Sequence, residues 1–547
     1  MQQRQAIWDR YPVGTVLVLM FLCVLPWMIW RDFTPSNELR YLSIVDEALR
    51  DGHFFAFFNQ GEPYADKPPL YLWLVMLCRA LFGQHCPFVL SLFSFIPAVV
   101  IVWVMDRWVY GACPADERNR PDRSRERMSV ALILCSTIYW LGLTFFLRMD
   151  MLMVMFIVLA LYAWFRNRPW LFALYTFLAL FTKGPVGILM PPLTLAVYWI
   201  SCRIRGKAKD PDPRHRLGRF LGWRFLLLVG GLCAVWFTFA WLDGGSAYLQ
   251  NLLFHQTVDR TVRATHHQQP FWYYLEFIWL VMLPWGFFTV PVCVASLIKR
   301  ENTAVPQTEA ARAEKLMRCA FFATFFMLSL SSSKLPVYLL PVFPFAVYLL
   351  PLYIRRKGWQ RWTLAMLAVA AAAGMLIGLA LFLETVFNKQ IPSLAPYDFA
   401  ASPWMGFTGV LVFFGGLFVL LCAFRTRGAF PEIRPLAFTI FVGFLALAPL
   451  IHPSNEFLGY GAICRDVPAG EKVYVMEDIR RPENMDVYLG QDVVVVHFGE
   501  PVPAEGVLLT RDTFSDPALE GRPHHVHGSR IIWYLSSSEA PQAWLSR

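Results

Sequence analysis

Seven basic side chains stand out, because they occur in segments that otherwise carry few positive charges, and five of them lie close to the ends of different apolar runs. Ionisable groups at such a depth in a membrane are costly and usually face a cavity or a partner. A basic cavity at the level of lipid headgroups suits a phosphate diester or a pyrophosphate, held by charge-assisted hydrogen bonds. The alternative is that these side chains snorkel and contact ordinary anionic headgroups. The seven are Arg40, Lys67, Arg148, Lys183, Arg260, Arg263 and Lys334.

Three acidic residues accompany these cations and could do further chemistry. Glu38 precedes Arg40, Asp66 precedes Lys67, and Asp150 follows Arg148 by two residues. A carboxylate can act as a general base when it lies within hydrogen-bond distance of the proton that it removes. The pattern therefore predicts an anion site with carboxylates at its edge.

The elements that carry these residues are apolar enough to cross a membrane. The chain has 547 residues, of which 56% are apolar and only 16% are charged. Such a composition is typical of polytopic membrane proteins. An α-helix forms all its backbone hydrogen bonds within one segment, so apolar runs of this length are expected to cross the lipid as helices. We expect an all-α polytopic fold of about thirteen transmembrane helices, at 13–30, 87–105, 128–146, 151–165, 170–181, 186–200, 225–242, 271–298, 320–330, 335–354, 362–383, 406–423 and 435–451.

Positive charge between these runs predicts the orientation of the chain. We interpret the first run as a retained span rather than a cleaved signal, which places the N-terminus in the cytoplasm. Five alternate loops then carry 6, 8, 5, 4 and 3 Lys/Arg residues, as the positive-inside rule requires of cytoplasmic loops. They also account for much of the net charge of +10, so no nucleic-acid partner is expected. The loops are 106–127, 203–224, 298–318, 355–361 and 425–434.

Two segments have a different character from the spans. The loop 31–86 is too long for a simple connection, and it contains two probable surface helices, at 38–49 and 69–82. Residues 455–547 contain apolar runs of strand length, which predict a small soluble α/β domain after a membrane domain of residues 1–454. An odd number of spans places this C-terminal domain, with the loop 31–86, on the periplasmic side.

Other site chemistries find little support in the sequence. It contains no Walker A run, no GxGxxG after a strand and no HExxH. The eleven cysteines form no CxxC pair, so neither a disulfide framework nor a zinc knuckle is expected. A site outside the cytoplasm also lacks nucleotide donors, so it must take an activated group from a lipid.

Six short motifs, in order along the chain, carry a resemblance to a known family. The chain resembles the membrane glycosyltransferases of the GT-C fold, and specifically the aminoarabinose transferase and protein O-mannosyltransferase group. The resemblance covers most of the membrane region, and each motif lies at the expected outer face. The motifs are Pro35-Ser36-Asn37-Glu38-Leu39-Arg40-Tyr41, Tyr64-Ala65-Asp66-Lys67-Pro68-Pro69-Leu70, Arg148-Met149-Asp150, Thr182-Lys183-Gly184-Pro185, His266-His267 before Phe271-Trp272-Tyr273-Tyr274, and Lys334-Leu335-Pro336-Val337-Tyr338.

The resemblance implies a polyprenyl-phosphate sugar donor, transfer at the periplasmic face and inversion at the anomeric carbon. Charge then builds on the departing phosphate, and cations that contact it stabilise the transition state. A phosphate monoester has a second pKa of about 6, so it leaves without a strong general acid. The donor-phosphate residues implied are Arg40, Tyr64, Lys67, Lys183, Arg260, Arg263, Lys334 and Tyr338.

A metal site is also implied by the resemblance. In the family, the position of Asp66 and a histidine before the aromatic cluster can hold a metal ion, and His266 or His267 matches that histidine. Carboxylate and imidazole are suitable zinc ligands. The alternative is that the histidines form hydrogen bonds at the interface. A divalent metal such as zinc is therefore an expectation that rests on the family alone.

One departure from the family concerns catalysis. The family opens its first loop with an Asp-Glu pair whose Asp is taken as the catalytic carboxylate, and here the pair is Asn37-Glu38. Asn37 cannot act as a base, so Glu38 or Asp150 is expected to substitute for it. An acceptor that is already an ionised phosphate, as on lipid A, needs little deprotonation. The third alternative is loss of activity.

These observations favour a multi-pass inner-membrane glycosyltransferase. Its expected partners are a polyprenyl-phosphate sugar, a glycolipid of the lipid A type or a protein hydroxyl as acceptor, and membrane lipids. Two other classes of protein stay open. One is a transporter or flippase for lipid-linked sugars, although no internal repeat supports it. The other is a catalytically inactive, lipid-binding homologue, which Asn37 suggests.

Overall fold

A computed structural model gives the fold of the chain. It describes residues 10–113, 122–205, 215–253, 268–298, 308–354, 360–387, 402–425 and 433–465 and, with short gaps, 467–535. Every one of the thirteen apolar runs overlaps a helix, so the expectation of a helical membrane domain is confirmed. Within the described residues, seven helices are long and apolar enough to cross a membrane, and five shorter apolar helices accompany them.

The helices of the membrane domain are numbered in chain order. Several begin with proline in the first turn, for example at Pro12, Pro87 and Pro169, where its missing N–H and fixed φ suit a helix start. The helices are α1 Pro12–Trp30, α2 Arg40–Asp51, α3 Leu70–Phe82, α4 Pro87–Gly111, α5 Arg123–Cys135, α6 Ile138–Leu143, α7 Asp150–Phe165, α8 Pro169–Lys183, α9 Pro185–Arg205, α10 Leu217–Leu253, α11 Tyr273–Val281, α12 Gly286–Ile298, α13 Glu309–Leu330, α14 Phe343–Ile354, α15 Gln360–Phe387, α16 Pro403–Arg425, α17 Arg434–Ala446, α18 Ile451–Leu458 and α19 Gly461–Arg465.

Three of the predicted spans are interrupted. The run 128–146 breaks at Ser136 and Thr137, whose hydroxyls hydrogen-bond to carbonyls four residues earlier. The run 271–298 breaks before Pro284, which lacks the N–H that a continuous helix needs. The run 335–354 starts as a 3₁₀ segment that contains two prolines. These spans are therefore pairs of shorter elements rather than single rods.

The loop 31–86 folds into a compact unit, named here the first loop. A π-helical turn at Pro35–Leu39 leads directly into α2, and α3 follows after a short hairpin of β1 Phe58–Asn59 and β2 Glu62–Pro63. The hairpin turn places Gln60 and Gly61 at positive φ, as a two-residue type I′ turn requires. Glu47 of α2 accepts hydrogen bonds from both of these backbone N–H groups, which fixes the hairpin against the helix.

The C-terminal part contains a five-stranded sheet with the order β4-β3-β5-β7-β6. The β4–β3 and β3–β5 pairs are parallel, and the β5–β7 and β7–β6 pairs are antiparallel. Four of the strands coincide with apolar runs that the sequence predicts as strands, at 472–476, 492–497, 506–509 and 530–535, and β6 was not predicted. The α18 helix crosses the predicted boundary at residues 454/455, and the division itself stays a prediction. The strands are β3 Val473–Met476, β4 Val494–Val496, β5 Val507–Arg511, β6 His524–Val526 and β7 Ile531–Leu535, and the helix α20 is Asp486–Leu489.

The first loop and the C-terminal sheet share one hydrophobic core. Leu42 and Val45 of α2 and Tyr71 of α3 belong to the same buried cluster as Val473 and Val507 of the sheet. The two segments therefore lie on the same side of the membrane. A second and larger core lies within the helix bundle itself.

Candidate functional site

Glu38 anchors the start of the first loop. Its carboxylate accepts two hydrogen bonds of 2.7 Å from the Arg31 guanidinium, and both side chains are almost fully buried. It also accepts hydrogen bonds from the backbone N–H and the hydroxyl of Thr34, and from the backbone N–H of Leu147. These five hydrogen bonds occupy both carboxylate oxygens. The geometry therefore supports an anchoring role for Glu38, and a role as base stays a prediction.

The hydrogen bond to Leu147 connects the first loop to the turn that precedes α7. Ser91 and Ser94 of α4 hold the same turn, because their hydroxyls donate to the carbonyls of Phe145 and Phe146 at 2.8 and 2.6 Å. The Arg31 guanidinium also lies over the Phe146 ring, 4.3 Å from its centre. This turn is fixed from three sides, and it presents Arg148 and Asp150.

Asp150 lies between two cations at the N-terminus of α7. Arg148 Nε donates to one of its oxygens at 3.1 Å, and Lys183 Nζ from the end of α8 donates to the other. The Lys183 ammonium also lies 4.9 Å from the centre of the Tyr338 ring. Because two cations neutralise one carboxylate, Asp150 is held in its charged form and a positive charge remains.

Tyr41 lies at the centre of the charged groups. It is buried in α2, and the charges of Arg148, Asp150, Arg40 and Asp66 all act on its hydroxyl. Burial raises the pKa of Tyr41 to about 12, with the arginines opposing and the carboxylates adding to this effect. Tyr41 is therefore a neutral phenol that can donate a hydrogen bond to an anion. Tyr41, Arg40, Arg148 and Asp150, together with Lys183 through its ion pair with Asp150, are called the first-loop cluster below.

Arg40 keeps hydrogen-bonding capacity in this cluster. One of its terminal nitrogens donates to the Ser36 carbonyl at 2.8 Å, and its Nε is buried with no hydrogen-bond partner among the described residues. A buried guanidinium donor without a partner is costly unless an acceptor binds to it. Asn37 lies one turn earlier, half-buried in the π-helical turn. Such turns are frequent at functional sites.

The segment with Tyr64, Asp66 and Lys67 approaches the cluster from the other side of α2. Tyr64 is buried, and its backbone carbonyl accepts a hydrogen bond of 3.3 Å from the Tyr248 hydroxyl of α10. Asp66 and Lys67 are half-buried in the bend before α3. Since Asp66 acts electrostatically on Tyr41, the structure brings this motif to the first-loop cluster.

The last predicted residues lie in and beyond the segment after α13. Lys334 is buried, and its ammonium donates to the carbonyls of Gln269, at 2.9 Å, and Ser331. Gln268 pairs with Ser333 through an isolated β-bridge. Lys334 therefore fixes this crossing of two segments, and Tyr338, four residues later, contacts Lys183. Arg260, Arg263, His266 and His267 lie outside the described residues.

The metal site stays a prediction for the same reason. Asp66 is described, whereas both candidate histidine ligands are not. Across the described ranges, no group of three or more His, Cys, Asp and Glu side chains could hold a metal ion. No step of the chemistry proposed below depends on a metal.

The C-terminal domain holds the first loop from its outer side. Asp32 accepts hydrogen bonds from the Tyr488 hydroxyl and from the Gly461 backbone N–H, the latter at 2.7 Å. Ser43 of α2 donates to Asp486 at 2.6 Å. A Cβ at Gly461 would lie 2.7 Å from an Asp32 oxygen, so this close approach requires glycine. The site-bearing helix α2 is thus packed between the bundle and the soluble domain.

Comparison with solved structures shows which fold this is. The structure of ArnT from Cupriavidus metallidurans bound to undecaprenyl phosphate superposes with a TM-score of 0.70, over 98% of this chain and 99% of that chain, at 20% sequence identity. Its apo state gives a TM-score of 0.69. The chain has the GT-C fold. The GT-C expectation from the sequence motifs is confirmed, and the protein is a multi-pass membrane protein.

The curated relatives are distant in sequence. An uncharacterized protein of Aquifex aeolicus is 24% identical over 340 residues, 60% of either chain. The undecaprenyl phosphate-alpha-4-amino-4-deoxy-L-arabinose arabinosyl transferase 1 of Pseudomonas fluorescens is 24% identical over 356 residues, 61% of this chain and 56% of its own length. The chain thus spans about three fifths of the length of these relatives. No family model matches the chain.

Two residues of the candidate site, Arg31 and Tyr41, were not among the site residues predicted from the sequence. Arg31 stands at the end of α1, where an arginine is typical of a membrane flank, so nothing in its position indicates a buried pair with Glu38. Tyr41 belongs to the first motif, and its place beside Arg40 was the available signal. Both residues stand out in the structure because they are buried, and the burial of a polar side chain cannot be inferred from the sequence.

Proposed function

We propose that this protein is an integral membrane glycosyltransferase that moves a sugar from a polyprenyl-phosphate donor to an acceptor, with inversion. The observation that carries the proposal is the charge of the first-loop cluster: Arg148 and Lys183 both pair with Asp150, Arg40 adds a third cation, and these three outnumber the carboxylates of Asp150 and Asp66. A donor phosphate supplies the missing negative charge. The fold match to ArnT supports the assignment, because that protein was crystallised with undecaprenyl phosphate.

The chemistry follows from the charges of the cluster. When the acceptor attacks the anomeric carbon, the bond to the phosphate oxygen breaks and that oxygen gains negative charge. Arg40, Lys183 and the Lys67 segment are suited to stabilise this charge, which is larger in the transition state than in the bound donor. Neutral Tyr41 can donate a hydrogen bond to the same phosphate. No general acid is needed for such a leaving group.

The acceptor has to be compatible with the carboxylates of the site. Glu38 is fully engaged by Arg31, Thr34 and Leu147, and Asp150 is held by Arg148 and Lys183. An acceptor that is already ionised requires little deprotonation, which favours a phosphorylated glycolipid of the lipid A type over a protein hydroxyl. The names of the relatives agree with this choice.

The location of the site follows from the loop charges. Basic residues are concentrated between the spans on the side away from the first loop. The positive-inside rule then places the first loop, the cluster and the C-terminal domain on the periplasmic side of the inner membrane. A reporter fused after Arg547 should be active in the periplasm, and activity in the cytoplasm would contradict this orientation.

Reconstitution tests the function directly. Purified protein in proteoliposomes should transfer sugar from a polyprenyl-phosphate donor to a lipid A-type acceptor, and mass spectrometry should detect the added mass. Glycolipids from cells with and without the protein should differ by the same mass. If the donor crosses the bilayer and the acceptor mass does not change, the protein is a flippase rather than a transferase.

A further inference from the structure

A cavity with a mixed polar and apolar wall lies beside the end of α1, and it shares no residue with the first-loop cluster. Its volume is about 570 Å³. The wall combines two exposed apolar side chains from the last turn of α1 with polar and charged groups from α18 and α19. The lining residues are Ile29, Trp30, His452, Pro453, Asn455, Glu456, Ala462 and Arg465.

The position of this cavity relative to the membrane follows from the end of α1. Trp30 ends a 19-residue apolar helix, and its ring is 47% exposed. Tryptophan at such a position lies at the boundary between hydrocarbon and water. The charged groups of α18 and α19 therefore lie at headgroup level beside the Trp30 ring, while Ile29 faces the acyl chains.

The cavity presents both signs of charge. Arg465 and Glu456 are exposed, and neither forms an ion pair or a hydrogen bond with any residue that the structure describes. The His452 ring contacts only the Trp30 ring there, with centres 6.0 Å apart. A guanidinium binds a phosphate through charge-assisted hydrogen bonds, and a carboxylate beside an indole ring suits an ammonium group.

We propose that this cavity binds the zwitterionic headgroup of a phospholipid, with the phosphate on Arg465 and the ammonium between Glu456 and the Trp30 ring. The acyl chains then run down the exposed side of α1. Phosphatidylethanolamine has this chemistry, whereas phosphatidylglycerol lacks the ammonium. The proposal concerns lipid binding and does not depend on the transferase activity.

The site has a structural link to the first loop. Asn455 in the cavity wall donates to the Trp30 carbonyl at 2.8 Å and accepts from the Asp32 N–H at 2.9 Å. Asp32 in turn accepts from Gly461 and Tyr488. A lipid that holds α18 and α19 against α1 thus stabilises the junction from which the first loop starts.

Native mass spectrometry of the purified full-length protein in detergent micelles tests the proposal. The probe is dihexanoyl-phosphatidylethanolamine, titrated against the wild type, Arg465→Gln and Glu456→Gln. We expect Arg465→Gln to weaken binding about tenfold, since one charged contact to the phosphate is lost. Glu456→Gln should weaken the binding of dihexanoyl-phosphatidylethanolamine and leave the binding of dihexanoyl-phosphatidylglycerol unchanged. Arg480→Gln, on an exposed arginine outside the cavity, is the matched control.

Each other outcome overturns a defined part of the proposal. Equal binding to the wild type and Arg465→Gln would exclude the phosphate contact. Preference for phosphatidylglycerol would exclude the ammonium contact of Glu456. Displacement of the lipid by millimolar inorganic phosphate would make the cavity an anion site instead of a lipid site.

Discussion

Two buried charged clusters lie at opposite ends of the helix bundle, and they differ in charge balance. The far-end cluster consists of Asp106, Tyr110, Arg123, Glu126 and Arg127, from the end of α4 and the start of α5. Arg127 binds both oxygens of Asp106, at 3.0 and 2.6 Å, and Glu126 accepts from the Tyr110 hydroxyl. Within these five residues two guanidinium groups balance two carboxylates in formal charge, and Asp106 is paired directly with Arg127.

The first-loop cluster has a different balance, because its three cations outnumber the carboxylates of Asp150 and Asp66 that act with them. Balanced charges need no further counterion, whereas a partly buried excess of positive charge is costly unless an anion is supplied. The comparison teaches that the balance of charge, rather than the presence of buried ions, separates a candidate binding site from a structural tie. The following experiments test that distinction.

The largest effect is expected for Lys183→Met. It removes a cation of the first-loop cluster while keeping the length of the side chain, so transfer should fall by about 10²–10³-fold. Single-turnover transfer in proteoliposomes is the measurement. Lys315→Met is a matched control, because Lys315 is also buried and lies over a tyrosine ring, that of Tyr198 at 5.6 Å. Wild-type turnover of Lys183→Met would remove the phosphate role of the cluster.

Glu38→Gln should have the next largest effect. It replaces the carboxylate that binds Arg31, Thr34 and Leu147, which displaces the turn with Arg148 and Asp150. We expect the rate to fall by about tenfold or more, with the KM for the donor raised as well. Asn37→Ala should be much milder. The reverse ranking of the two variants would show that Asn37, and not the anchor, limits the reaction.

Asp106→Asn tests the far-end cluster. Arg127 loses its charged partner, and we expect a loss of about 2 kcal/mol in the free energy of unfolding, less than for a fully buried pair because Arg127 is 32% exposed. Thermal unfolding in micelles measures this loss. Transfer per folded molecule should stay at the wild-type level. A specific change in donor KM would mean that the two clusters are coupled.

The smallest effect concerns the contact between Ser43 and Asp486. Burial raises the pKa of Asp486 to about 6, from an ordinary value near 3.8, and the charges of Asp46 and Asp492 raise it further. Between pH 4 and 6 the folded state therefore binds more protons than the unfolded state, so stability falls as the pH rises through this window.

Asp486→Asn should flatten that pH dependence. The midpoint of thermal unfolding, measured from pH 4 to 8, should drop by a few degrees in the wild type and stay level in the variant, a difference of about 1 kcal/mol. Asp51→Asn is the control, because Asp51 is exposed and pairs with Arg50, and its charge is not among those that raise the pKa of Asp486. An unchanged slope in Asp486→Asn would assign the pH dependence to other groups.

Much of the fold could be predicted because each span carries its signal locally. Hydropathy located all thirteen helical regions, and short apolar runs located four strands. The interruptions at Ser136 and Pro284 were not predicted, since an apolar window averages over one polar or proline residue. Packing across the bundle decides whether such a residue breaks the helix.

The site could be predicted in part. Arg40, Arg148 and Lys183 were identified as basic residues in segments that otherwise carry few positive charges, and the structure brings them together. The pair of Arg31 with Glu38 could not be predicted, because both residues have ordinary roles near a span end and only burial distinguishes them. The docking of the C-terminal domain depends on the complementary shapes of two surfaces, and such complementarity produces no periodic pattern of residues in the sequence.

The bond between Asp32 and Tyr488 has a consequence for the order of assembly. The two residues are 456 positions apart, so Asp32 leaves the ribosome long before its partner exists. The first loop therefore lacks this outer support until the C-terminal domain has been synthesised and has folded. The candidate site is therefore completed at the end of biosynthesis, and a chain that stops early lacks the contacts that hold Asp32 and α2.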